Sequence, residues 1–201
     1  MGQNLGWIIG VVAIGLAVYG LTNPPSLAIG DEQPGLFNIG SGTAEFANGS
    51  GKDIEQMVPS YLVKANTAKV DPKYLADKDY ILIYFSAHWC PPCRKFTPEL
   101  VKFYNKHAKS GNFETIFVSS DRNRKDMFGY MKKAKMPWVA VPFKDRRGEL
   151  AKAYAKSGIP NLVLIKPDGS VVSASYVGGN YVGPYKVLKD FEKILREAGQ
   201  S

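Results

Sequence analysis

The chain has 201 residues, 45% of them hydrophobic, and a formal net charge of +8. That is enough for one domain of ordinary size with an appendage. Two cysteines and two histidines exclude the disulfide framework of a small secreted scaffold. They also make a closed four-ligand zinc site geometrically poor, so no metal is expected. The charge is uneven: residues 1–60 hold one basic residue, Lys52, and five acidic ones, whereas residues 61–201 hold 25 basic and 13 acidic. The basic part attracts anionic partners. No run of five or six adjacent basic residues marks a nucleic-acid tail, and nucleic acid is not expected as a partner.

Residues 1–22 read as an N-terminal hydrophobic anchor or signal segment. Residues 5–21, LGWIIGVVAIGLAVYGL, contain no charge. As a helix they extend about 26 Å, slightly short of a bilayer core. Asn4, Thr22 and Asn23 flank the run, and Trp7 and Tyr19 sit near its ends, where amphipathic rings prefer to lie. An uncleaved membrane anchor is the favoured reading. The alternative is a signal peptide cut near Ala28, after Ser26-Leu27-Ala28. Pro24 and Pro25, and the lack of Lys or Arg at the start, favour the anchor. Gly2, Gly6 and Gly10 share a register suited to helix pairing. A short tail before such a span stays cytoplasmic, which puts the domain on the extracytoplasmic, periplasmic side; secretion after cleavage is the alternative.

Residues 23–60, rich in Gly, Pro, Ser and Asn, read as a flexible linker with a short helix near Asp53 to Val58. From residue 61 to 201 the pattern is that of a folded domain. YILIYFS, Tyr80 to Ser86, has the apolar and β-branched character of a buried strand. Pro92 to about Lys109 has helical periodicity, with Phe96, Leu100, Phe103, Tyr104 and His107 near one face and Pro98 a point for a kink. Phe113 to Ser119 reads as a second strand. Arg124 to Lys135 and Glu149 to Ser157 read as helices. Leu162 to Ile165 and Val171 to Tyr176 flank the turn Pro167-Asp168-Gly169 as a hairpin. Tyr185 to Ala198 closes the chain as an amphipathic helix. This order predicts an α/β fold with a mixed sheet covered by helices on both faces.

The chemistry concentrates at Trp89-Cys90-Pro91-Pro92-Cys93. A C-x-x-C pair directly after a buried strand, at the start of a helix, meets unpaired N–H groups and the positive end of the helix dipole. Such a position favours a thiolate. One turn further in, the second cysteine can reach back and resolve a mixed disulfide. Cys90 is therefore expected as nucleophile and Cys93 as resolver. Pro91 occupies the first turn, where its missing N–H costs little. A bridge closing so short a loop removes little chain entropy, so a purely stabilising disulfide is disfavoured.

The run Phe85-Ser86-Ala87-His88-Trp89-Cys90-Pro91-Pro92-Cys93-Arg94 resembles the active-site segment of the thioredoxin superfamily. Within it the tryparedoxin and nucleoredoxin branch is most similar. That branch rests on Cys-Pro-Pro-Cys-Arg, Phe96-Thr97-Pro98, Val118-Ser119-Ser120-Asp121 and Met136-Pro137-Trp138. The CPPC motif is shared with membrane-tethered bacterial thioredoxin-like proteins. Gly158-Ile159-Pro160 resembles the cis-proline loop that faces the dithiol. The resemblance covers roughly residues 62–198 and implies the thioredoxin fold. It implies that Trp89 packs beside Cys90. It also implies a cis Pro160 that frees the Ile159 backbone to pair with a substrate strand. Trp138 is expected in the core. One departure stands out: the buried Asp common six positions before the first cysteine is Tyr84 here. Tyr84, Glu99 or water would then accept the proton of Cys93. His88, when protonated, would favour the Cys90 thiolate.

The expected function is thiol-disulfide exchange, reducing rather than oxidising disulfides in partner proteins. An upstream dithiol would donate the electrons, and no cofactor beyond the redox-active Cys90–Cys93 disulfide is needed. A membrane-tethered client-binding or assembly module, with the dithiol secondary, is the alternative.

Overall fold

The computed structural model describes residues 49–110 and 112–199. The anchor or signal segment, with Gly2, Gly6 and Gly10, and most of the expected linker lie outside the described residues. Among the described residues, no helix is long and apolar enough to cross a membrane.

Helix α1, Ile54–Met57, is the short helix expected near Asp53. It is not loose. Ile54 and Met57 are buried, and the Ile54 N–H donates to the Pro167 carbonyl at 2.7 Å. Two buried apolar residues in a Gly- and Ser-rich stretch give too weak a pattern to be read as core from sequence. The packed chain thus begins before residue 61. Strands β1 (Leu62–Val63) and β2 (Lys69–Val70) form a small antiparallel edge, and a 3-10 turn spans Pro72–Leu75.

The centre is strand β3, Tyr80–Ser86, in which every residue from Ile81 onward is buried. Helix α2, Pro91–His107, follows it, and strand β4, Phe113–Ser119, comes next. β3 pairs in parallel with β4 from Tyr80↔Phe113 to Ser86↔Ser119. After α3 (Arg124–Lys133) and β5 (Val139–Ala140), helix α4 covers Glu149–Tyr154. Strand β6, Asn161–Ile165, lies antiparallel on the other side of β3, and β7, Val171–Ala174, pairs with β6. The small hairpin β8 (Tyr176–Val177) and β9 (Asn180–Tyr181) precedes the last helix, α5, Pro184–Ala198. The main sheet has the order β2-β1-β5-β4-β3-β6-β7.

Alternation along β3 fixes two cores, because side chains in a strand point to opposite faces. Leu82 and Tyr84 face a cluster with Phe96, Leu100, Met127, Trp138, Val187 and Phe191 from α2, α3, α5 and the loop before β5. Ile81, Ile83 and Phe85 face Ile54, Met57, Leu75, Leu150 and Tyr154. This is the mixed, doubly covered sheet expected from the sequence. The buried residues of α2 are Cys93, Phe96, Thr97, Leu100 and Phe103, the spacing of one helical face. Pro98 lies inside α2 without ending it. Trp138 is core, 1% exposed.

The topology brings the reactive segment together. β3 and β6 run in opposite directions, so the end of β3 meets the start of β6. The Cys90 turn leaves the first, and Gly158-Ile159-Pro160 enters the second. The Pro167-Asp168-Gly169 turn lies at the far end of β6.

Candidate active site

Cys90 and Cys93 form a disulfide with their Cα atoms 5.2 Å apart. Cys90 is the N-cap of α2, and its Sγ accepts the Cys93 N–H at 3.3 Å. The sulfur therefore faces the positive end of the helix dipole. Pro91 and Pro92, both exposed, form the first turn. The two sulfurs differ in surroundings: Cys90 keeps 4% of its surface open, whereas Cys93 is fully buried. Ala87 and Ile159 pack around the pair. The Ile159–Pro160 peptide is cis, and the Ile159 carbonyl oxygen lies 3.7 Å from Cys90 Sγ. Cys90 and Ile159, 69 residues apart in the chain, thus face one another as the resemblance implied.

Trp89 stands beside Cys90 with 52% of its surface exposed. Its Nε1–H donates to the Ser120 carbonyl at 3.1 Å, which ties the indole to the end of β4 and leaves its ring open. His88 contributes mainly through its backbone. Its N–H donates to Asp121 Oδ1 at 2.8 Å, and its carbonyl accepts from Arg94 Nη1 at 2.6 Å. Its ring lies 5.7 Å from that of Tyr130.

Asp121 was not singled out as a site residue by the sequence. It is 3% exposed and also accepts the Ser119 hydroxyl at 2.9 Å. Burial pushes its carboxyl up from the usual range. The signal for it was a lone carboxylate directly after the wholly buried β4, at the sheet edge that carries the dithiol.

Beneath Cys93 lies a cluster of hydroxyls. The Tyr84 hydroxyl lies 2.8 Å from Thr97 Oγ1, and Thr97 Oγ1 also bonds the Tyr130 hydroxyl. Tyr130 in turn lies 3.3 Å from Ser86 Oγ. Thr97 Oγ1 donates to the Cys93 carbonyl at 2.8 Å, and the Tyr84 hydroxyl reaches the same oxygen at 3.4 Å. These bonds hold the Cys93 backbone. Burial, then the neighbouring Tyr130, pushes the Tyr84 phenol well above its usual range, so it stays neutral. Thr97 sits one helical turn after Cys93, and Tyr130 lies on the buried face of α3 with Met127 and Met131. Only the fold joins them.

Glu99, expected as an alternative proton acceptor, is exposed on α2. Six residues along a helix rotate a side chain about 240° from Cys93, onto another face. The structure therefore separates it from the site. Among the described residues, no cluster of His, Cys, Asp and Glu could hold a metal ion.

Comparison with known proteins agrees with this architecture. A family model described as thioredoxin-like matches residues 77–171. Human nucleoredoxin is 36% identical over 167 residues, covering 77% of this chain and 38% of nucleoredoxin. Tryparedoxin of Trypanosoma brucei brucei is 45% identical over 94 residues, covering 46% of this chain and 64% of tryparedoxin. The chain thus spans less than two thirds of the length of these relatives. A crystal structure of thioredoxin from Wuchereria bancrofti is 35% identical with a TM-score of 0.56, covering 71% of this chain and 99% of that one. The chain belongs to the thioredoxin-like family of thiol oxidoreductases, with nucleoredoxins and tryparedoxins among its homologues.

Proposed function

We propose that this protein reduces disulfides in partner proteins, with Cys90 as nucleophile and Cys93 as resolving thiol. The observation that carries the reading is the unequal setting of the two sulfurs. Cys90 caps α2, accepts an amide N–H, lies beside the Ile159 carbonyl and keeps a small part of its surface open; Cys93 is fully buried. The Cys90 thiolate attacks one sulfur of the partner's disulfide, and the partner's other sulfur leaves and takes a proton. Cys93 then gives up its proton and attacks Cys90. The released partner carries two thiols, and Cys90–Cys93 is left as a disulfide. Two electrons pass to the partner, and an upstream dithiol restores them.

In the reduced enzyme, Tyr84 and its hydroxyl neighbours hold the Cys93 backbone and offer no carboxylate as base, so water is the proton carrier for Cys93 in this reading. His88 supports the Cys90 loop through its backbone N–H, which donates to Asp121 in the loop after β4. The expected anchor at residues 5–21 would hold the domain at a membrane; the apolar run itself is the support for that. Retention of the full chain in washed membranes, and release on deleting residues 1–22, tests it.

The test of the catalytic assignment is trapping. Cys93→Ser is expected to accumulate mixed disulfides with protein substrates through Cys90. Trapping by Cys90→Ser instead would reverse the roles. Absence of dithiol-dependent insulin reduction by the wild type would overturn the reading itself.

A further inference from the structure

Among the described residues, four large apolar side chains are exposed: Trp89, Tyr181, Val182 and Tyr185. All four lie around the dithiol. Trp89 precedes Cys90 and is tied to Ser120, after β4. On the opposite side of β3, Tyr181 ends the β8–β9 hairpin, Val182 follows it, and Tyr185 lies in the first turn of α5. The Tyr181 hydroxyl donates to the Pro160 carbonyl at 2.9 Å, while half of its surface stays open. The Tyr185 ring meets Phe96 edge-on at 5.0 Å, one turn along α2 from Cys93.

The hairpin is firmly seated. The Val182 and Gly183 N–H groups both donate to the Ser175 carbonyl, and the buried Ser175 hydroxyl bonds the β6 backbone at Leu162. The Tyr176 ring packs 5.0 Å from that of Tyr181, and its hydroxyl lies where a Cβ on residue 158 would stand. A Cβ on residue 158 would push the end of the Tyr176 side chain away from the loop. Both tyrosines thus press on the Gly158–Pro160 segment, whose Ile159 carbonyl lies 3.7 Å from Cys90 Sγ.

We propose that Tyr181 is a positioning residue for protein substrates. It holds the Pro160 carbonyl, and so the backbone edge at Ile159, in place. With Val182 and Tyr185 it extends that edge into an apolar shelf for the polypeptide that flanks the attacked cysteine. The occupant is an extended segment of the disulfide-bearing partner with an apolar side chain beside its cysteine. A segment seated there runs between the shelf and the Trp89 ring, with its sulfur over Cys90. Oxidised glutathione has no apolar side chain beside its cysteine to lay on the shelf. The inference rests on the proposed disulfide reduction and adds where its discrimination between protein and small-molecule disulfides comes from.

The test compares insulin with oxidised glutathione as substrates of the full chain. Tyr181→Phe removes one hydroxyl from a half-exposed ring. It is expected to raise KM for insulin about five-fold, as for one lost hydrogen bond, with kcat held. KM for oxidised glutathione and the Cys90–Cys93 redox potential should stay unchanged. Tyr181→Ala, which also removes the shelf, should raise the insulin KM further and still spare glutathione. An unchanged insulin KM, or equal losses with both substrates, overturns the inference while leaving disulfide reduction intact. A wild type inactive on both substrates overturns the reduction and this inference with it.

Discussion

Two tyrosine pairs sit at opposite ends of the paired strands β3 and β4, and they solve the problem of a buried hydroxyl differently. At the dithiol end, Tyr84 and Tyr130 share Thr97, and every partner in that cluster is neutral. At the far end, Tyr74 and Tyr104 each donate to one oxygen of Glu114, at 3.0 Å, while the Thr115 N–H donates to the same carboxyl at 2.7 Å. Glu114 is 9% exposed. Burial holds its carboxyl above the usual range despite three donors, and burial with the adjacent carboxylate drives both phenols well up. The hydroxyl cluster itself holds no carboxylate, imidazole or amine. The other end is built on a carboxylate that burial holds above the usual range. The difference teaches that the polar support beneath Cys93 is constant with pH, whereas a pH-sensitive element of stability lies a strand's length away.

The harshest way to break this contrast is to put a carboxylate where Tyr84 stands. Tyr84→Asp buries a charge with no cationic partner and should cost about 3–5 kcal/mol of stability, measured by urea unfolding. The folded-state pKa of that Asp would be raised, so its penalty grows as pH rises above the ordinary Asp range. A milder loss with no pH dependence would show that the cluster accepts charge. Next in size is Asp121→Ala. It strips acceptors from the His88 N–H and the Ser119 hydroxyl and should cost about 2 kcal/mol, while loosening the Trp89 segment; indole fluorescence and unfolding midpoint together report it.

At the other end, Glu114→Gln leaves one tyrosine hydroxyl facing an NH2 group and should cost about 1 kcal/mol. Its pH signature is the sharper readout. Because the folded Glu114 holds its proton to higher pH than the unfolded one, wild-type stability falls as pH climbs from the ordinary Glu range to the raised folded value. The Gln variant should lack that fall. Unfolding curves that run parallel across this window would remove Glu114 as the pH-sensitive group. The smallest effect belongs to His88→Ala. Its loop bonds are made by backbone atoms, so stability should move by no more than about 0.5 kcal/mol. An unchanged redox potential would confine the residue's role to its backbone.

Sequence made β3, β4, the β6–β7 hairpin and α2 legible because each is a dense run with one clear period, and it placed Cys90 and Cys93 because their spacing carries its own chemistry. The cis Ile159–Pro160 bond followed from the resemblance. What it did not show was assembled by the fold. Thr97 and Tyr130 are 33 residues apart, and neither carries a signal until α2 and α3 face each other. Two-residue strands such as β1 and β5 are too short to have a period. Ile54 and Met57 are core residues in a setting whose composition reads as linker. Glu99 failed for a geometric reason: proximity in sequence to Cys93 is not proximity on a helix.

The seating of α1 has a mechanical consequence. Ile54 is bonded to Pro167, in the turn at the end of β6 remote from the dithiol. β6 spans Asn161–Ile165, so that turn lies on the order of 15–20 Å from the Ile159 loop. A pull transmitted through residue 49 is borne first by α1 and the 167–169 turn, at the pole facing away from the dithiol. The reactive pole lies at the other end of β6 from that point of load.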